Sequence, residues 1–281
     1  MDQLHLSAFD IKQACKRSFT AVLIGSRGSG KSVLIQDIMY YLAKTNIPRV
    51  CAFSATEGSN GFFSKHVPGT FIFGIDDVEK KLEDIVKSQK RLLLRQRIGE
   101  IDKNIDTRIA IILDDVAYKK DVLSSPIVRQ IFLNGRHDFI SFAVTVQHCM
   151  LLRPELRANS DFIFVFKQTA ASNIKSLYVH FFGMFLSQKD FSLVLASCAQ
   201  NYGCLVLDNT MPSTDISKIV FWYKATPGRN FRIGSKEFWA FHEKWFISDE
   251  DRYIQERNMQ KNGIFSKKKD SVVLKKKKQR R

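Results

Sequence analysis

The sequence predicts an α/β fold, a mostly parallel central sheet flanked by helices, on three observations. Short apolar runs recur along the chain with helical segments between them, the runs are nearly continuous in Val, Ile, Leu and Phe, and a glycine-rich loop joins the first run to the first helix. Alternation of strand-like and helical segments is the pattern of a parallel sheet with helical crossovers. Strands that are apolar at every position read as buried on both faces.

The expected strands are residues 19–24, 49–54, 70–73, 109–113, 139–146 and 162–166. Helices are expected over 32–44, 76–97 and 126–134, then over 172–182 and 187–199. A late pair of apolar runs, 204–207 and 218–223, reads as an edge hairpin around Asp208-Asn209-Thr210-Met211-Pro212, a turn-forming cluster. After Gly234, the segment KEFWAFHEKWF sets Phe238, Phe241, Trp245 and Phe246 on one helical face, to pad the domain or to contact a neighbouring subunit.

Composition narrows the function classes. With 281 residues, 44% hydrophobic and 26% charged, the chain has ample material for a core, which excludes global disorder. Five cysteines (Cys15, Cys51, Cys149, Cys198, Cys204) fall outside any CxxC pattern, so neither a disulfide framework nor a zinc site is expected. The opening MDQLHLSAFDIKQ has no secretory pattern, no run is long and apolar enough to span a bilayer, and a soluble protein with no stable membrane insertion is expected. The net charge of +16 points to a polyanionic partner. Residues 265–281 hold nine basic side chains and one acidic, so this tail carries +8 and reads as disordered, leaving +8 for residues 1–264, the expected folded domain.

The most informative stretch is FTAVLIGSRGSGKSVLIQDIMYYL. Gly25, Ser26, Arg27, Gly28, Ser29, Gly30, Lys31 and Ser32 match G-x-x-x-x-G-K-[ST] in full, after an apolar strand and at the start of an amphipathic helix, where a phosphate-binding loop must lie. Such a loop turns its backbone N–H groups and a helix N-terminus toward phosphate, so the phosphates of a nucleotide are the expected ligand. Lys31 would bridge the β- and γ-phosphates, and the Ser32 hydroxyl would ligate Mg²⁺. RIAIILDDVAY supplies the complementary carboxylates: Asp114 to hold Mg²⁺, Asp115 to orient or deprotonate the attacking water. The run FISFAVTVQH ends in Gln147, placed to sense the γ-phosphate, and in His148, more often a packing residue. Arg136, in LNGRHDF, and Arg157, in RPELRANSDF, are the candidates for an arginine finger acting across a subunit boundary. The basic helix 76–97, with Lys80, Lys81, Lys87, Lys90, Arg91, Arg95 and Arg97, either lines a DNA channel or is a solvated face.

In order, GSRGSGKS, IILDDV, FLNGRH, FAVTVQH and RPELRANSDFIFVF resemble the DNA-packaging ATPases of large nucleocytoplasmic DNA viruses, the poxvirus-type branch of the FtsK–HerA motors, over residues 19–167. The resemblance implies a RecA-like core with residues 168–264 as its C-terminal extension, ATP and Mg²⁺, a ring oligomer, and translocation of double-stranded DNA into a capsid through a capsid or portal-like vertex protein, in the host cytoplasm or nucleus. It also implies Lys31 and Ser32 as nucleotide and metal residues, Asp114 as metal ligand, Asp115 as base, Gln147 as sensor and Arg136 as the residue acting in trans. Asp115 departs from the Glu of many FtsK–HerA motors, and no large nuclease module is expected after the core. A cellular-type DNA pump or helicase and a nucleotide-dependent assembly switch are the alternatives. A switch has no need of Asp115 and Gln147, and the absence of an Asn-Lys-x-Asp motif disfavours a GTPase.

Overall fold

Five residues, TAVLI, form the strand β1 (Thr20–Ile24) around which the sheet is arranged. The computed structural model describes residues 5–115 and 121–261, so the basic tail 265–281 lies outside the described residues. The chain divides into two compact units, Met1–Glu243 and Lys244–Arg281, a boundary that falls before the compositional break at Phe265.

In the first unit the remaining strands are β2 (Arg49–Ser54), β3 (Ile72–Phe73), β4 (Ile109–Asp114), β5 (Ile140–Val146), β6 (Phe162–Val165), β7 (Gly203–Asp208) and β8 (Val220–Lys224). The helices are α1 (Ile11–Ala14), α2 (Lys31–Lys44), α3 (Glu57–Asn60), α4 (Val78–Arg97), α5 (Pro126–Asn134), α6 (Pro154–Ala158), α7 (Ala171–Phe181), α8 (Gln188–Cys198), α9 (Ile216–Ile219) and α10 (Lys236–Trp245), the last ending just past the unit boundary. In the second unit, α11 spans Asp249–Lys261.

The strands join into one eight-stranded sheet in the order β3-β2-β4-β5-β1-β6-β7-β8. The six strands from β3 to β6 in that order are parallel, and β7 and β8 are antiparallel, as expected of an edge hairpin. Two features differ from expectation. Half of the run 70–73 lies in a 3-10 turn, Gly69–Phe71, leaving only two residues for β3. The β8 edge is not bare, because Ala8 bridges Trp222, with the Phe9 N–H donating to the Trp222 carbonyl at 2.9 Å. This cover protects an edge that would otherwise pair with other chains.

Alternation along each strand explains the continuous apolar runs. Val22, Ile24, Ile111, Leu113, Phe142 and Val144 join a core with α4, α5, α7 and α8. Ala21, Leu23, Ala52, Ala110, Ile112 and Ala143 join a second core with α1 and α2. Four of these six are alanines, side chains small enough to let α2 lie close to the sheet.

The α2 helix is held from outside by a buried carboxylate. Asp37 is fully buried and accepts from the Tyr223 hydroxyl at 2.5 Å, from Arg229 Nε at 2.9 Å and from the Thr226 N–H at 3.2 Å. The Arg229 guanidinium lies 4.1 Å from the Tyr40 ring centroid. Nearby, His66 stacks on Phe231 at 4.2 Å and hydrogen-bonds the Phe231 carbonyl at 2.9 Å. The chain after β8 is thus strapped across the helix that carries the candidate phosphate loop. Phe238 is buried and stacks on Phe71 at 4.0 Å, whereas Phe241 on the same helix is half exposed.

Asp37→Ala leaves the Arg229 guanidinium and the Tyr223 hydroxyl without their acceptor and should cost about 3 kcal/mol of stability. Urea unfolding of the full chain measures it, and a loss within about 0.5 kcal/mol would assign the strap to packing alone.

Candidate functional site

The first side chain to place is Lys31, at the first position of α2. The loop before it leaves β1 at Gly25, whose N–H donates to the Val146 carbonyl of β5 at 3.1 Å, fixing the loop to the neighbouring strand. A Cβ at Gly25 would lie 2.5 Å from Ser29 Oγ and 2.9 Å from Phe166 Cβ, so the close approach admits glycine alone. Gly30 caps α2 at φ 110°, in the left-handed region. The Lys31 ammonium folds over the loop and donates to the Gly25 carbonyl at 2.7 Å and the Ser26 carbonyl at 2.8 Å. Arg27 and Ser32 are exposed, and Ser29 is half-buried.

The carboxylates sit on the same edge of the sheet. Asp114 ends β4 and is 9% exposed, while Asp115 follows it with φ 50°. A non-glycine residue there is strained, and such strain clusters at functional sites. One side chain joins the two: Thr145 of β5, buried, donates its hydroxyl to Asp114 Oδ1 at 3.0 Å and accepts the Asp115 N–H at 2.8 Å. Gln147, two residues further along, donates from Nε2 to Asp115 Oδ1 at 3.4 Å. Thr145 is a site residue that the sequence motifs do not mark. Its one signal is a hydroxyl two residues before Gln147, on the same strand face.

The electrostatics agree with the proximity. Burial lowers the pKa of Lys31, opposed by the negative charges of Asp114 and Asp115. Burial raises the pKa of Asp114, opposed by the Thr145 hydrogen bond and reinforced by Asp115.

Lys31, Asp114, Asp115 and Gln147 are therefore brought together, and Arg136 is not. Its Nη1 donates to Asp161 Oδ1 at 2.6 Å, and Asp161 Oδ2 accepts the Thr20 N–H at 2.8 Å, where β1 begins. Arg136 thus lies at the opposite end of the strands from the loop and, within its own chain, ties down the start of β1. Arg157 donates to the Leu152 carbonyl at 2.9 Å. His148 is exposed.

Thr145→Val keeps the volume but removes both hydrogen bonds, and should lower nucleotide hydrolysis about 10- to 100-fold with nucleotide affinity unchanged, whereas Thr145→Ser retains activity. The sign of the pH effect follows from Asp114. Its raised pKa holds the proton to higher pH than an ordinary carboxyl, and losing the Thr145 donor raises it further, so the acid limb of the rate profile should move to higher pH in Thr145→Val. An acid limb unmoved by the substitution would leave Thr145 a packing residue.

A family model described as "Poxvirus A32 protein" matches residues 6–197. The chain is 33% identical over 257 residues to the uncharacterized protein L437 of Acanthamoeba polyphaga mimivirus, covering 90% of this chain and 89% of that protein. It is 28% identical over 223 residues to the uncharacterized protein 075L of Invertebrate iridescent virus 6, covering 78% and 83%. Among solved structures, the genome packaging NTPase B204 from Sulfolobus turreted icosahedral virus 2, in complex with sulfate, superposes with a TM-score of 0.53 at 17% identity, over 75% of this chain and 98% of that one. At that identity the likeness establishes the fold alone, a mostly parallel sheet flanked by helices. With the matched span covering most of the chain and the ordered motifs lying within it, the protein belongs to the poxvirus A32 family.

Proposed function

We propose that this chain is an ATPase motor that translocates double-stranded DNA into a viral capsid, working as a ring of identical subunits. The observation that carries the reading is the Thr145 bridge, which holds two carboxylates beside the lysine of a phosphate loop at one edge of the sheet. A nucleotide-binding switch needs only the loop and a metal ligand. The second carboxylate, with Gln147 on it, is what hydrolysis requires. Membership of the poxvirus A32 family and the fold shared with a genome packaging NTPase support the packaging role. No helix among the described residues is long and apolar enough to cross a membrane. A viral factory in the host cytoplasm, or the nucleus, is the setting this reading implies.

Each residue has a defined part. Lys31 and the backbone N–H groups of the loop bind the β- and γ-phosphates. The exposed Ser32 hydroxyl and the Asp114 carboxylate are hard oxygen donors that suit Mg²⁺, and they are the residues that would hold it. Bound there, the ion would neutralise charge building on the phosphate oxygens. Asp115 accepts the proton of the attacking water, and Gln147, bonded to Asp115, couples that carboxylate to the γ-phosphate position. Arg136 or Arg157 acts in trans. Both already have acceptors in their own chain, so either must release one to reach a neighbour.

The α4 face is the candidate DNA surface. Val78, Leu82, Val86 and Gln89 are buried, and the basic side chains point outward. Lys87, Lys90 and Arg95 pair with Glu83, Asp138 and Glu100, whereas Lys80, Arg91 and Arg97 have no partner among the described residues. Contacts from such side chains would go to phosphates and accept any sequence, as packaging a whole genome demands.

Steady-state ATPase assays with and without long duplex DNA test the proposal. Turnover stimulated by DNA and abolished by Lys31→Ala is expected. A purified oligomer that hydrolyses ATP no faster than Lys31→Ala, with or without DNA, would overturn it.

A further inference from the structure

Beside the phosphate loop lies a cleft of about 680 Å³, bordered by Gly28 and Ser29 on one side and by Gln168, Leu195, Ala199 and Tyr202 on the other. Its far wall ends in a turn, Gln200–Tyr202, that links α8 to β7. Two consecutive residues of that turn, Asn201 and Tyr202, adopt φ 50° and 65°. Asparagine tolerates the left-handed region, but an aromatic side chain there is a genuine outlier. The turn is nevertheless fixed on both sides. A Cβ at Gly203 would lie 2.4 Å from the Cys198 carbonyl, and a Cβ at Gly30 would lie 3.2 Å from Tyr202 Cβ, so two glycines let the turn nest against the loop.

The result is a tyrosine held in a strained conformation against the loop, yet 68% exposed. Among the described residues its ring stacks on no other ring and its hydroxyl has no hydrogen-bond partner. Packing does not account for the strain, because the ring covers little of the protein itself. Strained positions of this kind cluster at active sites and ligand clamps. A flat aromatic face, apolar lining from Leu195 and Ala199, and amide groups from Gln168 and Gln200 at the margin are the chemistry that takes a planar heteroaromatic ring.

We propose that this cleft seats the base of the bound nucleoside triphosphate, with Tyr202 as its stacking face. The proposal rests on the phosphate-loop reading of Gly25–Ser32 and extends it: the loop holds the phosphates, and the turn before β7 holds the other end of the same molecule. Tyr202 would then supply base-dependent affinity that the loop cannot, since phosphates are common to every nucleotide.

Calorimetric titration of the full chain with ATP and, separately, with inorganic triphosphate, both with magnesium, separates the two ends. Wild type should bind ATP more tightly than triphosphate. Tyr202→Ala should weaken ATP about tenfold, equivalent to about 1.4 kcal/mol, and leave triphosphate unchanged. Tyr202→Phe should keep wild-type ATP affinity. Tyr202→Gly, which relieves the backbone strain and so guards against misfolding, should show the same selective loss as alanine. Unchanged ATP affinity in Tyr202→Ala, or an equal loss for both ligands, would overturn the base site while leaving the loop intact. Wild type that binds neither ligand would instead overturn the phosphate-loop reading, and the base site with it.

Discussion

The parallel pairing of β1 with β5 is the constraint on which the site depends. Its register aligns Ile24 with Val146, and the hydrogen bond from Gly25 to the Val146 carbonyl continues it past the end of the strand. Because β4 is parallel to β5 as well, the chain leaves β1, β4 and β5 at one common edge. The loop with Lys31 therefore converges with the pair Asp114 and Asp115 and with Gln147, although these segments are far apart in the sequence. This is the crevice beyond the carboxyl ends of the strands where open α/β sheets place their ligands.

Left-handed backbone occurs at both ends of the strands, at Asn46 and Phe139 just before β2 and β5 and at Asp115, Asn201 and Tyr202 at the opposite end. At the start of the strands, Asp161 joins Arg136 to the β1 backbone in a satisfied network. At the other end, a buried carboxylate at Asp114 adds a charge kept from full solvation. The sheet and the Asp37 strap behind α2 supply the rigidity that holds these unfavourable features in place.

Much of this was legible from the residues. The runs over 19–24, 49–54, 109–113, 139–146 and 162–166 became β1, β2, β4, β5 and β6 with small shifts at their ends, because strands buried on both faces announce themselves by composition alone. The run 70–73 misled because Pro68 and Gly69 open a 3-10 turn that uses up half of its length. The glycine-rich loop was readable because cradling a phosphate demands this spacing. Thr145 and Tyr202 were not, since their roles arise from contacts across the sheet and from backbone angles, neither of which leaves a local pattern. Arg136 shows the converse. Its sequence context made it a candidate arginine finger, and its partner Asp161, 25 positions on, became visible only once β5 and β6 lay on either side of β1.

The central claim is that this edge of the sheet hydrolyses ATP with Asp115 as its base. The most direct measurement compares Asp115→Asn with wild type for equilibrium ATP binding and for single-turnover hydrolysis under the same conditions. The account predicts that binding is retained and hydrolysis falls by at least about 100-fold, within the range of general-base catalysis. Hydrolysis at the wild-type rate with Asn at this position would contradict it.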